Sequence, residues 1–563
     1  MRFTENLGLD CYPYASRRMP IFARRGMVAT EDALAAQAGL RILQRGGNAV
    51  DAAVAAAIAL TVTEPVANGI GSDAFALVWD GERVHALNGS GRACAAHTRE
   101  FFVERGDSSV PMLGWDAVTV PGAPAAWRDL HARFGRLRIE ELFEPAIEYA
   151  EQGFPVAPLT AARWASSAKN YGSLPRRPEL RPWYDTFTRD GEAPKAGETW
   201  RSPDMARTLR VLSRTNVEAF YRGAIAAQLV EFAERTHGQL SLRDLAAHTS
   251  TWVEPIHTEY RGYRVWECPP NGNGIVALSA LAVLGGLDLA QHPRESVDSY
   301  HLQIEAMKLA FADAQHRIAD PDLAVVPVRE LLDPERADRR RRLIQSRASN
   351  VETVDPGKGG TVYLCAADAD GMMVSFIQSN YSGPLLGFGS GVVVPQTGIS
   401  LHSRGCAFSL DPHSPNVIAP GKRPAHSIIP AFLTRDGSAV AALGVMGGPM
   451  QPQGHVQMIV NMIDYGLNPQ ASIDAPRWQW LADRYVDLEC AVPDHVKSGL
   501  SDRGHQISIS GPWDVATAVP RQLPSGKYVA YGDFGKAQII CRRRDGTYVA
   551  GSEPRADGCA AGY

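Results

Sequence analysis

The chain carries Gly359-Gly360-Thr361 between a polar stretch, Ser346 to Lys358, and the strand-like run Val362-Tyr363-Leu364-Cys365-Ala366-Ala367. This junction constrains the fold most, because it reads as a masked catalytic N-terminus at the head of a strand. A threonine hydroxyl is a poor nucleophile at neutral pH, and an adjacent free α-amine is one way to activate it. An internal threonine has no such amine. Cleavage between Gly360 and Thr361 would create one titrating near ~7.7 to 8.0, so one cut supplies nucleophile and base together. Glycines before Thr361 ease such a cut, since they tolerate strained backbone that a residue with Cβ resists. Taken alone, Gly-Gly-Thr is equally a strand start after a loop; the surroundings decide.

Those surroundings predict a hairpin. Thr361 to Ala367 is followed by a turn at Asp368-Ala369-Asp370-Gly371, and Met372 to Ser379 returns antiparallel. A turn centred near Asp370 sets Thr361 opposite Gln378, Ser379 or Asn380, with Cα atoms ~4.5 to 5.5 Å apart. Upstream, Glu31 to Arg45 has helical periodicity and ends at Gly46-Gly47, after which Asp51 is placed to cap an alanine-rich second helix. Phe75 to Trp79, Asp80-Gly81 and Val84 to Leu87 read as another hairpin. Longer helical stretches dominate from Trp127 to Ala312, and Ser346 to Gly360 reads as an exposed linker.

Many ordered segments resemble the γ-glutamyltranspeptidase family of N-terminal nucleophile hydrolases. They include Gly46-Gly47-Asn48-Ala49-Val50-Asp51, Thr63-Glu64-Pro65, Val120-Pro121-Gly122, Tyr260-Arg261-Gly262-Tyr263 and Glu305 to Asp313. After Thr361 they continue through Gly389-Ser390-Gly391, Pro420 to Pro424, Gly447-Gly448, Asp464 to Leu467, Ala475-Pro476-Arg477 and Ala561-Gly562-Tyr563. The resemblance implies an α+β, four-layer αββα sandwich with a helix-rich N-terminal part. It also implies a precursor that cuts itself into a large subunit, residues 1–360, and a small subunit, residues 361–563. Thr361 would be the nucleophile, Ser379 its supporting hydroxyl, and the N–H groups of Gly447 and Gly448 the donors to the oxyanion. Asn380, His426 and Ser427 fall on or near family positions that bind the acyl donor.

The chain departs from the family where a glutamyl group would be recognised. The family's Asn-Asn-x-x-Asp-Asp-Phe segment stands here as His402-Ser403-Arg404-Gly405-Cys406-Ala407-Phe408, and Ala407 offers no acceptor for an α-ammonium. Ser90 falls at the position of a carboxylate-binding arginine, with Arg92 two residues on and able in principle to clamp an anionic acyl group. Three amide substrates stay open: γ-glutamyl compounds, amides with dicarboxylate-like side chains such as glutaryl β-lactams, and oxamate. A fold that has lost the chemistry and only binds is the rival outside enzymes.

The net charge of -4 over 563 residues gives no sign of a nucleic-acid partner. Arg339 to Arg342 has acidic neighbours and reads as a solvated helix face. The eight cysteines include no C-x-x-C pair, there is no H-E-x-x-H, and neither a metal nor another cofactor is expected. Gly69-Ile70-Gly71-Ser72-Asp73-Ala74 matches a dinucleotide fingerprint but precedes a strand-like run where a helix is required. Scattered thiols, an N-terminal stretch without a sustained apolar run, and no apolar run near ~20 residues make a cytoplasmic protein with no membrane partner the expectation.

Overall fold

The computed structural model describes residues 18–314, 316–351, 360–381, 387–511, 521–522, 528–529 and 531–563. The expected linker falls mostly outside them. At the centre of one seven-stranded sheet lie Gly26–Thr30 (β1), Asp73–Trp79 (β2), Val362–Asp368 (β3) and Met373–Ser379 (β4), in the spatial order β1-β3-β4-β2. Cys559–Gly562 flanks β1, while Val84–Gly89 and then Thr251–Val253 extend the other edge. A second seven-stranded sheet has Ser438–Met446 (β5) and Lys536–Arg542 (β6) at its centre. Neighbouring strands in both sheets are antiparallel.

Period-two alternation builds the layers. In β3, Tyr363, Cys365 and Ala367 enter the core between the sheets with Phe75, Ile377, Phe432, Ala442 and Ile540. Val362, Leu364 and Ala366 face the opposite way, toward Ala33–Gln44 (α1) and Ala49–Thr63 (α2). The outer face of the second sheet is covered by Gly274–Gly285 (α3), Val297–Ala314 (α4) and Met450–Ile463 (α5). The result is the αββα sandwich. With helices outside both sheets, β3 and β4 are buried along their whole length and read as nearly continuous apolar runs.

Both expected hairpins are present. The register Val362↔Gln378 to Ala367↔Met373 centres the turn on Asp370, and continuing it sets Thr361 across from Ser379. The Gly69–Ala74 segment runs into β2, so no helix opens there. Three expectations are corrected. Asn48, not Asp51, is the N-cap of α2; Asp51 closes the capping box and also accepts N–H bonds from Arg136 and Leu137. The helical middle is interrupted by strands at Thr251–Val253, Ile256–Tyr260 and Tyr263–Glu267. In the basic cluster, Arg340 pairs with the buried Asp313 and Arg341 donates to the carbonyl of Val283, so those two are docked rather than solvated.

The two sheets meet closely where the Tyr363 ring lies on Gly444 of β5. A Cβ at Gly444 would stand 2.3 Å from the Tyr363 ring. Gly444→Ala is therefore expected to cost about 1–3 kcal/mol, an overpacking penalty visible as a lowered thermal unfolding midpoint.

Candidate active site

Hairpin register carries Thr361 to Ser379, and side-chain chemistry completes the junction. Thr361 is fully buried, and its Oγ1 donates to Ser379 Oγ at 3.1 Å. Ser379 Oγ in turn donates to the Gly360 carbonyl at 2.5 Å. The Tyr381 N–H is shared between that carbonyl, 3.2 Å away, and Ser379 Oγ, 2.9 Å away. Tyr381 achieves this with φ of 43°, a left-handed conformation that a bulky residue adopts only when its surroundings impose it. Here Ser403 Oγ bonds its carbonyl and the Arg404 guanidinium lies 3.9 Å above its ring. The carbonyl before Thr361 is thus polarised by two donors, with a hydroxyl on the next residue.

Arg404 links this junction to a cavity of about 760 Å³. Its Nη2 donates to Ser379 Oγ at 3.3 Å and its Nη1 to Ser427 Oγ at 3.0 Å, and its Nε has no partner among the described residues. Burial lowers its pKa to about 10, which leaves it charged at neutral pH. Tyr381, Arg404, Cys406, Ala407, His426 and Ser427 all line the cavity.

The nearby carboxylate is Asp73 on β2, set directly across from Ser379. Its Oδ1 accepts the N–H groups of Gly91 and Gly122 at 3.0 and 3.1 Å, and its Oδ2 stands 3.2 Å from His426 Nε2. His402 Nε2 lies 3.6 Å from Oδ1. Backbone N–H groups of Arg404 and Ile428 donate to Nδ1 of His402 and His426, so each neutral ring turns its Nε2–H inward. Burial drives the pKa of His402 down to about 3 and that of His426 well below the usual range, with Arg404 adding to both. Burial raises Asp73 to about 7 against the opposing pull of Arg404.

Gly447 and Gly448 follow β5 and precede α5, with φ of 129° and 53°. Their carbonyls accept the first N–H groups of α5, while neither N–H has a partner among the described residues. Two free amides at the positive end of a helix are suited to a developing oxyanion. Since Tyr363 lies on Gly444, β5 ends at the same side of the sandwich where β3 begins.

Of the residues singled out in the sequence, Gly360, Thr361 and Ser379 meet at one point, and His426 and Ser427 line the adjoining cavity. Two lie elsewhere. Asn380 is buried between Ser72 Oγ and Ser400 Oγ, outside the cavity lining. Arg92 is committed to Asp320, Asp322 and the Gly421 carbonyl, so the cation at the cavity is Arg404 instead. Tyr381 and Asp73 were also missed. The sequence offered a signal for Arg404, the arginine inside the His402–Phe408 segment, which stands close to where a glutamyl site carries acids. Among the described residues one group has metal-like spacing, His301, Glu305 and His505. Its members are already engaged with one another and with Lys308, with Lys308 Nζ 2.7 Å from Glu305 Oε1 and His301 Nδ1 2.9 Å from His505 Nε2.

The γ-glutamyltranspeptidase family model matches residues 35–563 of this chain. The chain belongs to that family. It is an amide hydrolase or acyltransferase of the N-terminal nucleophile type. It is 35% identical over 550 residues to the glutathione hydrolase-like YwrD proenzyme of Bacillus subtilis, covering 96% of this chain and 99% of that one. It is 33% identical over 553 residues to the oxamate amidohydrolase proenzyme of Klebsiella pneumoniae, covering 96% and 98%. A crystal structure of cephalosporin acylase from Bacillus halodurans superposes with a TM-score of 0.91 at 48% identity, covering 98% of both chains.

Replacing Ser379 by alanine removes a donor to the Gly360 carbonyl and the acceptor of the Thr361 hydroxyl. Self-cleavage of Ser379→Ala is expected to slow by about 10²–10³-fold, measured as the time course of fragment appearance on denaturing gels.

Proposed function

We propose that this protein is a self-activating threonine amidase whose nucleophile is Thr361. The observation that carries the reading is the pair of donors, Ser379 Oγ and Tyr381 N–H, aimed at the Gly360 carbonyl beside the Thr361 hydroxyl. Attack of Thr361 Oγ1 on the Gly360 carbonyl carbon breaks the Gly360–Thr361 amide, leaves an ester, and passes the hydroxyl proton to the departing nitrogen. Water hydrolyses that ester into fragments 1–360 and 361–563. The freed amine of Thr361 then takes the proton of its own hydroxyl, which attacks a substrate amide. The Gly447 and Gly448 amides receive the oxyanion, and the protonated amine supplies the leaving group with its proton. Water or an amine resolves the acyl-enzyme.

The cavity supports an acyl group that ends in a carboxylate and lacks an adjacent ammonium. Arg404 and Ser427 provide a charged, bidentate-capable anion end, and the two histidines beside it are neutral. The same guanidinium repels the α-ammonium of a γ-glutamyl group. The oxamate amidohydrolase among the relatives is named for a substrate that carries a carboxylate and no α-ammonium.

Denatured mass spectrometry of the purified protein is expected to give two fragments meeting at Gly360 and Thr361, and a single intact chain for Thr361→Ala. An intact wild-type chain would sink the reading. The cleaved enzyme is expected to release p-nitroaniline from its glutaryl anilide at least ~10-fold faster than from its γ-glutamyl anilide. Arg404→Met is expected to raise KM for the glutaryl compound by ~10-fold or more, the loss of a charged hydrogen bond of about 1.5–3 kcal/mol.

A further inference from the structure

A second buried ionic group lies behind the nucleophile. Glu31, Glu64 and Lys536 are 1%, 1% and 3% exposed. Lys536 Nζ donates to Glu64 Oε1 at 2.9 Å and stands 3.4 Å from Glu31 Oε2. Glu31 Oε1 accepts the N–H of Tyr363 at 2.9 Å, two residues from Thr361. Lys536 pairs across the strands with Met446, the residue before Gly447. The group is therefore tied at one end to the strand of the nucleophile and at the other to the glycine pair.

The direction of the Thr361 nitrogen follows from the peptide plane. Gly360 points its carbonyl at Ser379 and Tyr381, and in a trans peptide the N–H lies opposite the carbonyl. The Thr361 nitrogen thus faces away from β4, as does the Tyr363 N–H, toward the side where Glu31 sits. Among the described residues, Glu31 Oε2, which stands 3.4 Å from Lys536 Nζ, and Glu64 Oε2 are buried without a hydrogen bond. A buried ammonium needs acceptors, and these two carboxylate oxygens have room for a further donor.

We propose that Glu31, Glu64 and Lys536 form a positioning group that receives the α-amine created at Thr361 and sets its proton affinity. This rests on the reading of Thr361 as the nucleophile. Before cleavage the nitrogen is an amide and carries no charge; afterwards it adds a cation beside two acids and one base. The other charged groups packed round the cluster are Asp32, Arg163 and Asp557, while Arg404 reaches Ser379 on the opposite side of Thr361. Burial together with Glu64 raises Glu31 to about 8 despite Lys536, so this carboxyl exchanges its proton in the range where the amine works.

Competitive acetylation of the cleaved protein with acetic anhydride across pH, read by mass spectrometry on the N-terminal peptide of fragment 361–563, titrates the amine directly. Removing a neighbouring negative charge in Glu64→Gln is expected to lower that titration by about one pH unit, and removing the positive charge in Lys536→Gln to raise it. A merely structural role would alter the unfolding midpoint without moving the two variants in opposite directions. If Lys536→Gln does not fold, Glu64→Asp, which keeps the charge, is expected to leave the titration near that of the wild type while Glu64→Gln lowers it. Unshifted titrations in a cleaved protein overturn the proposal alone. A wild-type chain never cut at Thr361 overturns the nucleophile reading and this proposal with it.

Discussion

The pairing of β3 with β4 is the constraint on which the rest of the site depends. It places Ser379 across from Thr361, and the pairing of β4 with β2 places Asp73 across from Ser379. The two arms of one hairpin and a strand from about three hundred residues earlier thus line up Thr361, Ser379 and Asp73 in a row. A slip of one residue would turn Ser379 to the opposite face and leave the Gly360 carbonyl without its hydroxyl donor. The register is held because both faces of these strands are buried: moving β3 by one place would drive the Tyr363 ring out of the space above Gly444. The packing that orders the sandwich therefore also fixes the reacting atoms.

Electrostatics of the site follow from that dry interior. A guanidinium as buried as Arg404 costs several kcal/mol unless it is compensated, and the described residues bring no carboxylate into direct contact with it. Hydroxyls of Ser379 and Ser427, the face of Tyr381 and the more distant charge of Asp73 share the compensation. Its Nε, without a partner among the described residues, leaves that compensation incomplete. The two histidines add no positive charge because burial and Arg404 both oppose their protonation. They instead act as dipoles whose orientation is set by the backbone donors at Nδ1.

What the sequence made legible was local. The hairpin after Thr361 could be read because a turn of Asp and Gly separates two apolar runs of equal length, and that alone brought Thr361 near Ser379. The fold class and the glycine pair came from ordered resemblance along the chain. Asn48 was overlooked as the cap of α2 because Asn48 and Asp51 are both good capping residues three positions apart, and only the geometry shows which accepts at the first turn. Asp73 and Lys536 stayed hidden for a different reason. Each meets partners hundreds of residues away, and the strand order that joins them is not written in any local pattern. Arg92 stands near the expected position in sequence, yet Asp320 and Asp322, more than two hundred residues away, claim it.

The interleaving of the sheets bears on what a cut before Thr361 would do. In the first sheet β3 and β4 lie between β1 and β2, so strands from after Gly360 are flanked on both sides by strands from before it. In the second, β5 and β6 belong to a block of four strands from after Gly360 that is flanked at both ends by strands from before it. Breaking one peptide bond leaves those ladders and the buried face of α2 intact, and so removes almost none of the stabilising contacts. What changes is confined to the junction: an amide that could neither accept a proton nor carry charge becomes an amine that can do both. A fold of this kind can therefore be completed and stable before any such cut, and the cut would alter chemistry at Thr361 without asking the sandwich to rearrange.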